Sequence, residues 1–322
     1  MLVTATEYRK AEGPILSAPG LECRRAPDAE ADLASAIREA HASHVIVGPR
    51  IYSGALYEAL PAGGVIARFG VGHDGIDKAR ATKAGLLCTN TPGVLNQSVA
   101  ELTMLLVAAA ARMLVAASTS MARQVWDPAT GEELQGKTLA VIGCGGIGRA
   151  VARIASRGYG MRVVGCARPD VPPPAALDHF DVVVNDFAIA VRDADFVSLH
   201  LSAGLGNEHW INRERLAHLA ERAWLINTAR GSLVDEAALF EALADGRLAG
   251  AALDVFAREP YAPAEGSGDL RSLANLILTP HVGSNTATAN RRIAERALQN
   301  IMLAEARAFA RMDLLNPEVL RT

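Results

Sequence analysis

The stretch KTLAVIGCGGIGRAVARIAS, from Lys137 to Ser156, decides the fold of this chain. It opens with a short apolar run, Thr138 to Ile142, of the kind that forms a buried β-strand. Glycines then follow in the spacing G-x-G-x-x-G, and apolar residues recur at helical intervals from Ile147 onward. A strand, a tight glycine turn and a helix in this order predict a dinucleotide-binding βα unit.

Each glycine of this turn has a separate physical purpose. The first permits a sharp turn, the second lets a pyrophosphate approach the backbone, and the third lets the helix and the strand pack closely. Free N–H groups at the helix start, with the helix dipole behind them, attract the phosphates. The cofactor contacts predicted in this turn are Gly143, Gly145, Gly146, Ile147 and Gly148.

The end of the next predicted strand, Arg162 to Cys166, bears on which dinucleotide binds. An Asp or Glu about 20 residues past the glycines normally binds the ribose 2′-OH. Ala167 and Arg168 stand at this place instead. A guanidinium pairs with a 2′-phosphate, which a carboxylate would repel. We therefore expect NADP to be preferred over NAD, the alternative being that Arg168 merely points into solvent.

The composition is that of an ordinary globular protein. Of the 322 residues, 50% are hydrophobic and 21% are charged, which is enough chain for two domains. The net charge of −3 gives no electrostatic sign of a nucleic-acid or membrane partner. The four cysteines form no C-x-x-C pair, so no disulfide framework or metal site is indicated. The N-terminus lacks a secretory pattern, and we expect a cytoplasmic protein.

Short apolar runs alternate with helical patterns along the chain, which predicts an α/β fold with parallel sheets. The strands predicted before residue 95 are Val45 to Val47, Val65 to Phe69 and Leu86 to Cys88. Those predicted after the glycine turn are Arg162 to Cys166, Val182 to Val184, Phe196 to Leu199, Ala223 to Ile226, Gly250 to Asp254 and Leu276 to Leu278.

Two long helices are predicted as well. Asn96 to Ala117 is apolar on nearly all sides, as in a buried connector between domains or a subunit interface. Thr286 to Phe309 forms a final helix that we expect to return to the first domain, because residues 1 to 95 offer few elements to cover both faces of their sheet.

Three strand ends after the glycine turn carry polar side chains suited to one reaction. Arg230 follows the strand in INTARGSLVDE, Asp254 and Glu259 follow that in ALDVFAREP, and His281 follows that in LTPHVGS. Carboxyl ends of parallel strands meet at one sheet edge, where ligands bind. Reduction of a 2-keto acid needs a cation for the carboxylate and an acid for the forming alkoxide. A carboxylate beside the histidine favours the imidazolium and fixes its tautomer.

Simpler interpretations exist for these residues. Arg230 could make a surface ion pair, and most histidines of a chain are surface or core residues without a reaction to perform. A second phosphate-binding pattern, GEELQGKT at 131–138, is rejected because it precedes a strand and carries two glutamates where phosphates would sit.

Together these residues resemble the D-isomer-specific 2-hydroxyacid dehydrogenase family, to which glyoxylate/hydroxypyruvate reductases and phosphoglycerate dehydrogenases belong. The resemblance rests on FGVGHDGID, NTPGVLNQSVAELTM, LQGKTLAVIGCGGIG, INTARGSLVDEAAL, GAALDVFAREP and LTPHVGS in this order. It implies NAD(P)-dependent hydride transfer between nicotinamide and a small D-2-hydroxy acid or 2-keto acid.

The resemblance also implies a domain plan of two Rossmann-like, doubly wound parallel-sheet domains, with the cofactor domain inserted into a discontinuous substrate domain. Residues 1–98 and 286–322 would form the flavodoxin-like substrate domain, and residues 99–285 the NAD(P)-binding domain. Family members are typically homodimers, joined partly through the segment that corresponds to 100–126. No regulatory domain follows, so effector control is not expected.

Roles carry over from the family residue by residue. Arg230 is the catalytic arginine that binds the substrate, and Glu259 is the carboxylate that supports the histidine. His281 is the acid/base. Both Arg230 and His281 would touch the substrate and the cofactor.

The same resemblance implies further contacts. Asp254 would hold the nicotinamide carboxamide, with Thr228 and Gly283 as additional cofactor contacts. The backbone N–H groups of Val71 and Gly72 would bind the substrate carboxylate.

Two departures from the family pattern affect these expectations. Ala167 replaces the usual Asp, which weakens the case for NAD, and the segment 201–207, LSAGLGN, lacks the usual Pro and Thr beside the adenine pocket. With NADP, glyoxylate or hydroxypyruvate is the favoured substrate. The alternatives are 3-phosphoglycerate, which would need extra cations for its phosphate, and a non-catalytic dinucleotide-sensing co-regulator on the same fold.

Overall fold

The computed structural model describes residues 1–168, 178–204, 206–264 and 267–321. The chain divides into two compact units. Unit 1 consists of Met1–Leu95 and Ser284–Thr322, and unit 2 consists of Asn96–Gly283. The assignment of substrate and cofactor to separate units stays a prediction of the sequence.

Unit 1 is built on five parallel strands. They are β1 (Leu2–Thr4), β2 (Arg24–Ala26), β3 (His44–Val47), β4 (Val65–Arg68) and β5 (Leu87–Thr89). Their order in the sheet is β2-β1-β3-β4-β5, which is the flavodoxin-like arrangement. The helices between them are α1 (Ala5–Lys10), α2 (Glu12–Leu16), α3 (Glu30–Glu39), α4 (Ala55–Ala59) and α5 (Lys78–Lys83).

Sequence reasoning missed β1 and β2. Each strand has only three residues, and β2 reads RRA, with both arginines exposed. An edge strand that faces water needs no apolar alternation, so its main signal is the pairing with its neighbour. That pairing, with Val3 opposite Arg25, cannot be read from the sequence.

Unit 2 is built on seven parallel strands. They are β6 (Thr138–Ile142), β7 (Arg162–Cys166), β8 (Val182–Val184), β9 (Phe196–Leu199), β10 (Trp224–Asn227), β11 (Gly250–Leu253) and β12 (Leu276–Leu278). The sheet order is β12-β11-β10-β9-β6-β7-β8. The chain reverses its direction of winding between β6 and β9, which is the topological switch point of a doubly wound sheet.

Helices cover both faces of this sheet. They are α6 (Asn96–Ala111), α7 (Leu114–Ala122), α8 (Gly146–Tyr159), α9 (Phe187–Val191), α10 (Arg213–Leu216) and α11 (Glu236–Ala244). On one face Leu139 and Val141 pack with α6 and α8, and on the other Ala140 and Ile142 pack with α11. Alternate residues of one strand therefore serve two separate cores, as expected for a strand buried on both sides.

The prediction of one helix from Asn96 to Ala117 is wrong. The chain bends by 67° between α6 and α7, and Met113 takes a left-handed backbone conformation at the bend, with φ of 50°. α6 is buried along most of its length, whereas α7 has no buried residue. The helix therefore breaks where the chain leaves the core of unit 2.

Among the described residues no single helix is both long and apolar enough to cross a membrane. Only the bent pair of α6 and α7 reaches that length and hydropathy together. Because α6 is largely buried inside unit 2, its apolar composition is explained by the protein core.

The last helix, α12 (Ala287–Glu305), belongs to unit 1, as the sequence predicts for this segment. It ends a few residues earlier than expected, and a short 3₁₀ turn covers Phe309–Arg311. The adenine-side segment 201–207 is described except for residue 205, which lies outside the described residues.

Candidate active site

The candidate site of unit 2 lies at the carboxyl ends of its strands. All seven strands are parallel, so the segments that follow them lie along one edge of the sheet. The glycine turn follows β6, and the residues Arg230, Glu259 and His281 follow β10, β11 and β12. Ligands of such sheets bind at this edge, next to the switch point.

The glycine turn is shaped by the space around each glycine. Gly143 has φ of 104°, and a Cβ there would lie 2.7 Å from the carbonyl oxygen of His200. A Cβ on Gly148 would lie 2.1 Å from the carbonyl oxygen of Gly143. A Cβ on Gly145 would meet no atom within 4 Å. The first and third glycines are therefore required by the protein itself, whereas the second leaves open the surface that a pyrophosphate needs.

The helix that follows this turn is suited to phosphates. α8 begins at Gly146, so its first N–H groups, including those of Gly146 and Ile147, have no partner within the helix. A Cβ on Gly146 would lie 2.5 Å from Asn96 Nδ2, which places an amide donor of α6 beside the same helix end. The residues present thus fit a dinucleotide pyrophosphate.

His200 is a residue of this region that sequence reasoning did not single out. Its backbone N–H donates to the carbonyl of Ile142 at 2.7 Å, and its ring Nε2 lies 2.9 Å from Ser198 Oγ. Burial lowers the pKa of His200 to about 3, so the ring is neutral at physiological pH. The available signal was its position directly after β9, the strand at the switch point.

The structure puts Ala167 and Arg168 directly after β7, next to the glycine turn. Gly143 N–H donates to the carbonyl of Cys166 at 2.9 Å, which ties the two loops together. Ala167 N–H donates to the carbonyl of Val184 at 2.9 Å, and the carbonyl of Arg168 accepts from Asn185 Nδ2 at 3.0 Å. The side chain of Arg168 is exposed. The backbone at this position is thus held, while the guanidinium is accessible.

Arg230 lies in a tightly bonded loop after β10. Asn227 Nδ2 donates to the carbonyl of Arg230 at 2.8 Å, and Asn227 Oδ1 accepts from Ala229 N–H at 3.0 Å. The guanidinium Nη1 of Arg230 donates to the carbonyl of Ala229 at 2.6 Å. A Cβ on the next residue, Gly231, would lie 1.8 Å from the carbonyl carbon of Phe256. The Arg230 loop and the Glu259 loop therefore touch backbone to backbone.

Glu259 and His281 form a direct pair. His281 Nδ1 lies 2.6 Å from Glu259 Oε2, and Glu259 Oε1 accepts from the backbone N–H of Phe256 at 3.1 Å. Partial burial by itself would raise the pKa of Glu259. The hydrogen bond and charge of His281, the N–H of Phe256 and the charge of Arg230 outweigh it and hold that pKa below its ordinary value. The carboxylate is thus ionised where a histidine titrates.

This pair has the geometry of an acid/base. Nδ1 is engaged by Glu259, which leaves Nε2 to face a reactant. The side chains of His281 and Glu259 are 37% and 35% exposed, so a small molecule can reach them. His281 has φ of 53°, a left-handed conformation, and its N–H donates to the carbonyl of Asp254 at 2.8 Å.

Asp254 organises the loop that carries His281. Its side chain is fully buried and accepts from Thr279 Oγ1 at 2.6 Å, from Val282 N–H at 2.9 Å and from Gly283 N–H at 2.8 Å. A Cβ on Gly283 would lie 3.1 Å from Asp254 Oδ2, so glycine lets the loop close on this carboxylate. From the sequence, Asp254 and Gly283 are predicted only to bind the cofactor.

Three further residues, Thr228, Val71 and Gly72, complete the predicted site residues. Thr228 is buried, and its hydroxyl lies 2.8 Å from that of Thr103 on α6. Val71 and Gly72 belong to unit 1, in the loop after β4, where the carbonyl of Val71 accepts from Asn90 Nδ2 at 2.7 Å. The residues brought together within unit 2 are therefore Arg230, Glu259 and His281, with Asp254 beneath them.

Comparison with known proteins identifies the family of this chain. Residues 104–283 match the family model described as the NAD binding domain of D-isomer specific 2-hydroxyacid dehydrogenases. The chain belongs to this family. It is an oxidoreductase that acts on CH–OH donors with a nicotinamide cofactor.

The relatives include enzymes that act on different substrates. A glyoxylate reductase of Thermococcus litoralis is 38% identical over 82% of this chain and 80% of its own length. A D-3-phosphoglycerate dehydrogenase of Methanocaldococcus jannaschii is 42% identical, but the match covers 70% of this chain and 43% of that protein.

Among solved structures, an NADPH-dependent glyoxylate/hydroxypyruvate reductase from Sinorhizobium meliloti is 29% identical to this chain. The two structures superimpose with a TM-score of 0.80. The match covers 94% of this chain and 93% of the reductase chain. Another structure of that reductase contains NADP and malonate.

Proposed function

We propose that this protein reduces glyoxylate to glycolate and hydroxypyruvate to D-glycerate, with NADPH as the hydride donor. The observation that carries the proposal is the 2.6 Å contact between His281 Nδ1 and Glu259 Oε2, one strand end away from Arg230. The substrates named are those of the glyoxylate reductase and glyoxylate/hydroxypyruvate reductase to which the chain is similar.

Each of the three residues has one task in this reaction. The Arg230 guanidinium pairs with the carboxylate of the keto acid, which orients the carbonyl group. His281, protonated and held by Glu259, donates the Nε2 proton to the carbonyl oxygen as the alkoxide forms. The neutral imidazole then stays bonded to Glu259 through Nδ1 until it takes up a proton again. Val71 and Gly72 are proposed to donate backbone hydrogen bonds to the substrate carboxylate.

The cofactor is proposed to bind along the carboxyl edge of the unit 2 sheet. The turn at Gly143, Gly145 and Gly148 would hold its pyrophosphate, and the carboxylate of Asp254 would contact the nicotinamide carboxamide. When bound, the reduced nicotinamide supplies the hydride to the carbonyl carbon.

The preference for NADPH rests on Ala167 and Arg168. Ala167 and Arg168 directly follow β7, at the position where a carboxylate would repel a 2′-phosphate, and the Arg168 side chain is exposed. The Sinorhizobium meliloti reductase, which is NADPH-dependent by its description, supports the same choice.

Two other functions are favoured less than keto acid reduction. Oxidation of 3-phosphoglycerate is favoured less because the phosphoglycerate dehydrogenase relative matches over 43% of its own length. A non-catalytic dinucleotide-sensing co-regulator would have no need of the tight pairing between His281 and Glu259.

We further propose a homodimer located in the cytoplasm. The support for self-association is an apolar surface on and after α7, where Leu114, Met121, Val125 and Trp126 are 53%, 57%, 51% and 82% exposed. Exposed large apolar side chains grouped in one short segment are typical of an association surface. Sedimentation at several concentrations tests it, and a monomer at all of them would refute it.

Steady-state assays with a panel of 2-keto acids, each with NADPH and NADH, test the function directly. We expect the highest kcat/KM for glyoxylate or hydroxypyruvate with NADPH. Turnover of only the 2-keto acid that corresponds to 3-phosphoglycerate would transfer the assignment to the phosphoglycerate dehydrogenase alternative. Cofactor binding without turnover of any keto acid would support the co-regulator.

A further inference from the structure

α6 carries two hydroxyl side chains that contact the loops of the proposed active site. Thr103 Oγ1 lies 2.8 Å from Thr228 Oγ1, in the segment that leads from β10 to Arg230. Ser98 Oγ donates to the carbonyl of Gly283 at 2.9 Å, in the loop that carries His281. All of these residues lie in unit 2.

The direction of the Thr103 contact can be assigned. Thr103 Oγ1 lies 2.8 Å from the carbonyl of Val99, one turn earlier in the same helix, and donates its only hydroxyl hydrogen there. The contact with Thr228 therefore uses the Thr228 hydroxyl as donor and Thr103 as acceptor. Thr103 is fully buried and Thr228 is 7% exposed, so neither hydroxyl can exchange this partner for bulk water.

The hydrogen bond from Ser98 holds the His281 loop, which also donates a hydrogen bond to Asp254. Gly283 N–H donates to Asp254, while its carbonyl accepts from Ser98, which is 9% exposed. The backbone at Gly283 is thus held between β11 and α6, two residues after His281. Both contacts begin on one rigid helix, which packs against α8 of the glycine turn.

We propose that Ser98 and Thr103 are positioning residues of the reaction, which set the backbone of the His281 and Arg230 loops through Gly283 and Thr228. This inference rests on the proposed keto acid reduction. Neither residue touches a reactant, so each acts through the loop that it holds. A misplacement of about 1 Å in such a loop reduces turnover by up to about 10²-fold.

Thr103→Val is the first test, because it keeps the shape of the side chain and removes the acceptor. With glyoxylate and NADPH we expect kcat/KM to fall by about tenfold or more, with a raised KM as Arg230 loses its place. The dissociation constant of NADPH, measured by fluorescence titration, should change by less than about threefold. Thr103→Ser keeps the oxygen and should restore kcat/KM to within about threefold of the wild type.

Ser98→Ala removes the contact to Gly283 with little change of volume. We expect kcat to fall by about tenfold, because the His281 loop loses its hydrogen bond from α6. Thr89→Val in unit 1 is a matched control, since within the described residues Thr89 Oγ1 is buried without a hydrogen-bond partner. It should leave the kinetic constants and the unfolding midpoint unaltered.

The outcomes separate this inference from the function on which it rests. If the wild type reduces no keto acid, the proposed function fails. If the wild type is active and both Thr103→Val and Ser98→Ala keep full kcat/KM, only the positioning role is refuted. An equal loss in Thr103→Ser and Thr103→Val, or a loss of NADPH binding in proportion to kcat/KM, also refutes it. Should Thr103→Val not fold, Ser98→Ala and Thr103→Ser decide the question.

Discussion

The glycine turn and the acid/base pair lie at the same edge of one sheet, yet different kinds of information specify them. The turn depends on the absence of side chains at its glycines, since a Cβ on Gly148 would approach the Gly143 oxygen to 2.1 Å. The residues involved are close together in the sequence. The pair depends on distance in the chain, because Glu259 and His281 are 22 residues apart and meet only once β11 and β12 are neighbours. A short sequence motif is therefore enough to predict the turn, whereas the pairing of Glu259 with His281 can be recognised only once the fold is known.

The largest expected effect comes from removing the acid. His281→Asn should lower kcat by about 10³-fold, as expected for loss of a general acid. Asparagine is chosen because it tolerates the left-handed backbone that His281 adopts. Stopped-flow or steady-state assays with glyoxylate give kcat, and fluorescence titration should show NADPH binding retained.

The matched control for this variant is His41→Asn. His41 is an exposed histidine of unit 1 with φ of 47°, so the same change is made on the same backbone conformation. It should turn over like the wild type. A wild-type kcat in His281→Asn would remove the histidine from the mechanism.

The second prediction contrasts two glycines of the turn. Gly145→Ala should leave the unfolding midpoint unchanged, because its Cβ meets no protein atom, but should weaken NADPH binding by about 10²-fold. Gly148→Ala should instead lower the free energy of unfolding by about 1–3 kcal/mol, since its Cβ overlaps backbone. Calorimetry and isothermal titration measure the two effects. Equal destabilisation by both changes would contradict the division between packing and ligand space.

The third prediction concerns the strand end beside the turn. The double variant Ala167→Asp with Arg168→Ala should lower the ratio of kcat/KM with NADPH to that with NADH by about tenfold or more, because a carboxylate replaces a cation near the 2′-phosphate. Arg162→Ala, at the exposed start of the same strand, is the control and should leave the ratio as it is. A constant ratio in the double variant would show that Arg168 has no part in cofactor choice.

The smallest expected effect is a shift in pH dependence. The pKa of Glu259 is held below its ordinary value, so this residue is negatively charged at neutral pH. Glu259→Gln removes the charge that favours the imidazolium. The alkaline fall of the reductase rate should then move down by about one pH unit. Rate profiles of the variant and the wild type that coincide would mean that the pair is structural only.

The strands of unit 2 illustrate what the sequence can predict. β7, β8, β9 and β12 have the predicted bounds, because each is a short run rich in apolar residues, whether it lies inside the sheet or at its edge. The family and its reaction class were predictable for a related reason. The motifs of unit 2 lie in the loops directly after β6, β10, β11 and β12.

Other features depend on contacts between distant residues. The bend at Met113 lies where the chain leaves the core of unit 2, and the position of that boundary cannot be read from the sequence. The role of Asp254 as an anchor of the His281 loop requires Thr279, Val282 and Gly283 to fold back onto it. The sequence shows that His200 follows β9, but the packing that makes it a neutral ring is visible only in the structure.

The contact at Gly231 bears on how this protein can be altered. A Cβ there would overlap the backbone of Phe256, so no other amino acid fits without separating the Arg230 loop from the Glu259 loop. Random libraries aimed at new substrates should therefore leave codon 231 unchanged and sample the residues around it. The same constraint means that a larger side chain at position 231 would displace the Arg230 loop, the Glu259 loop or both.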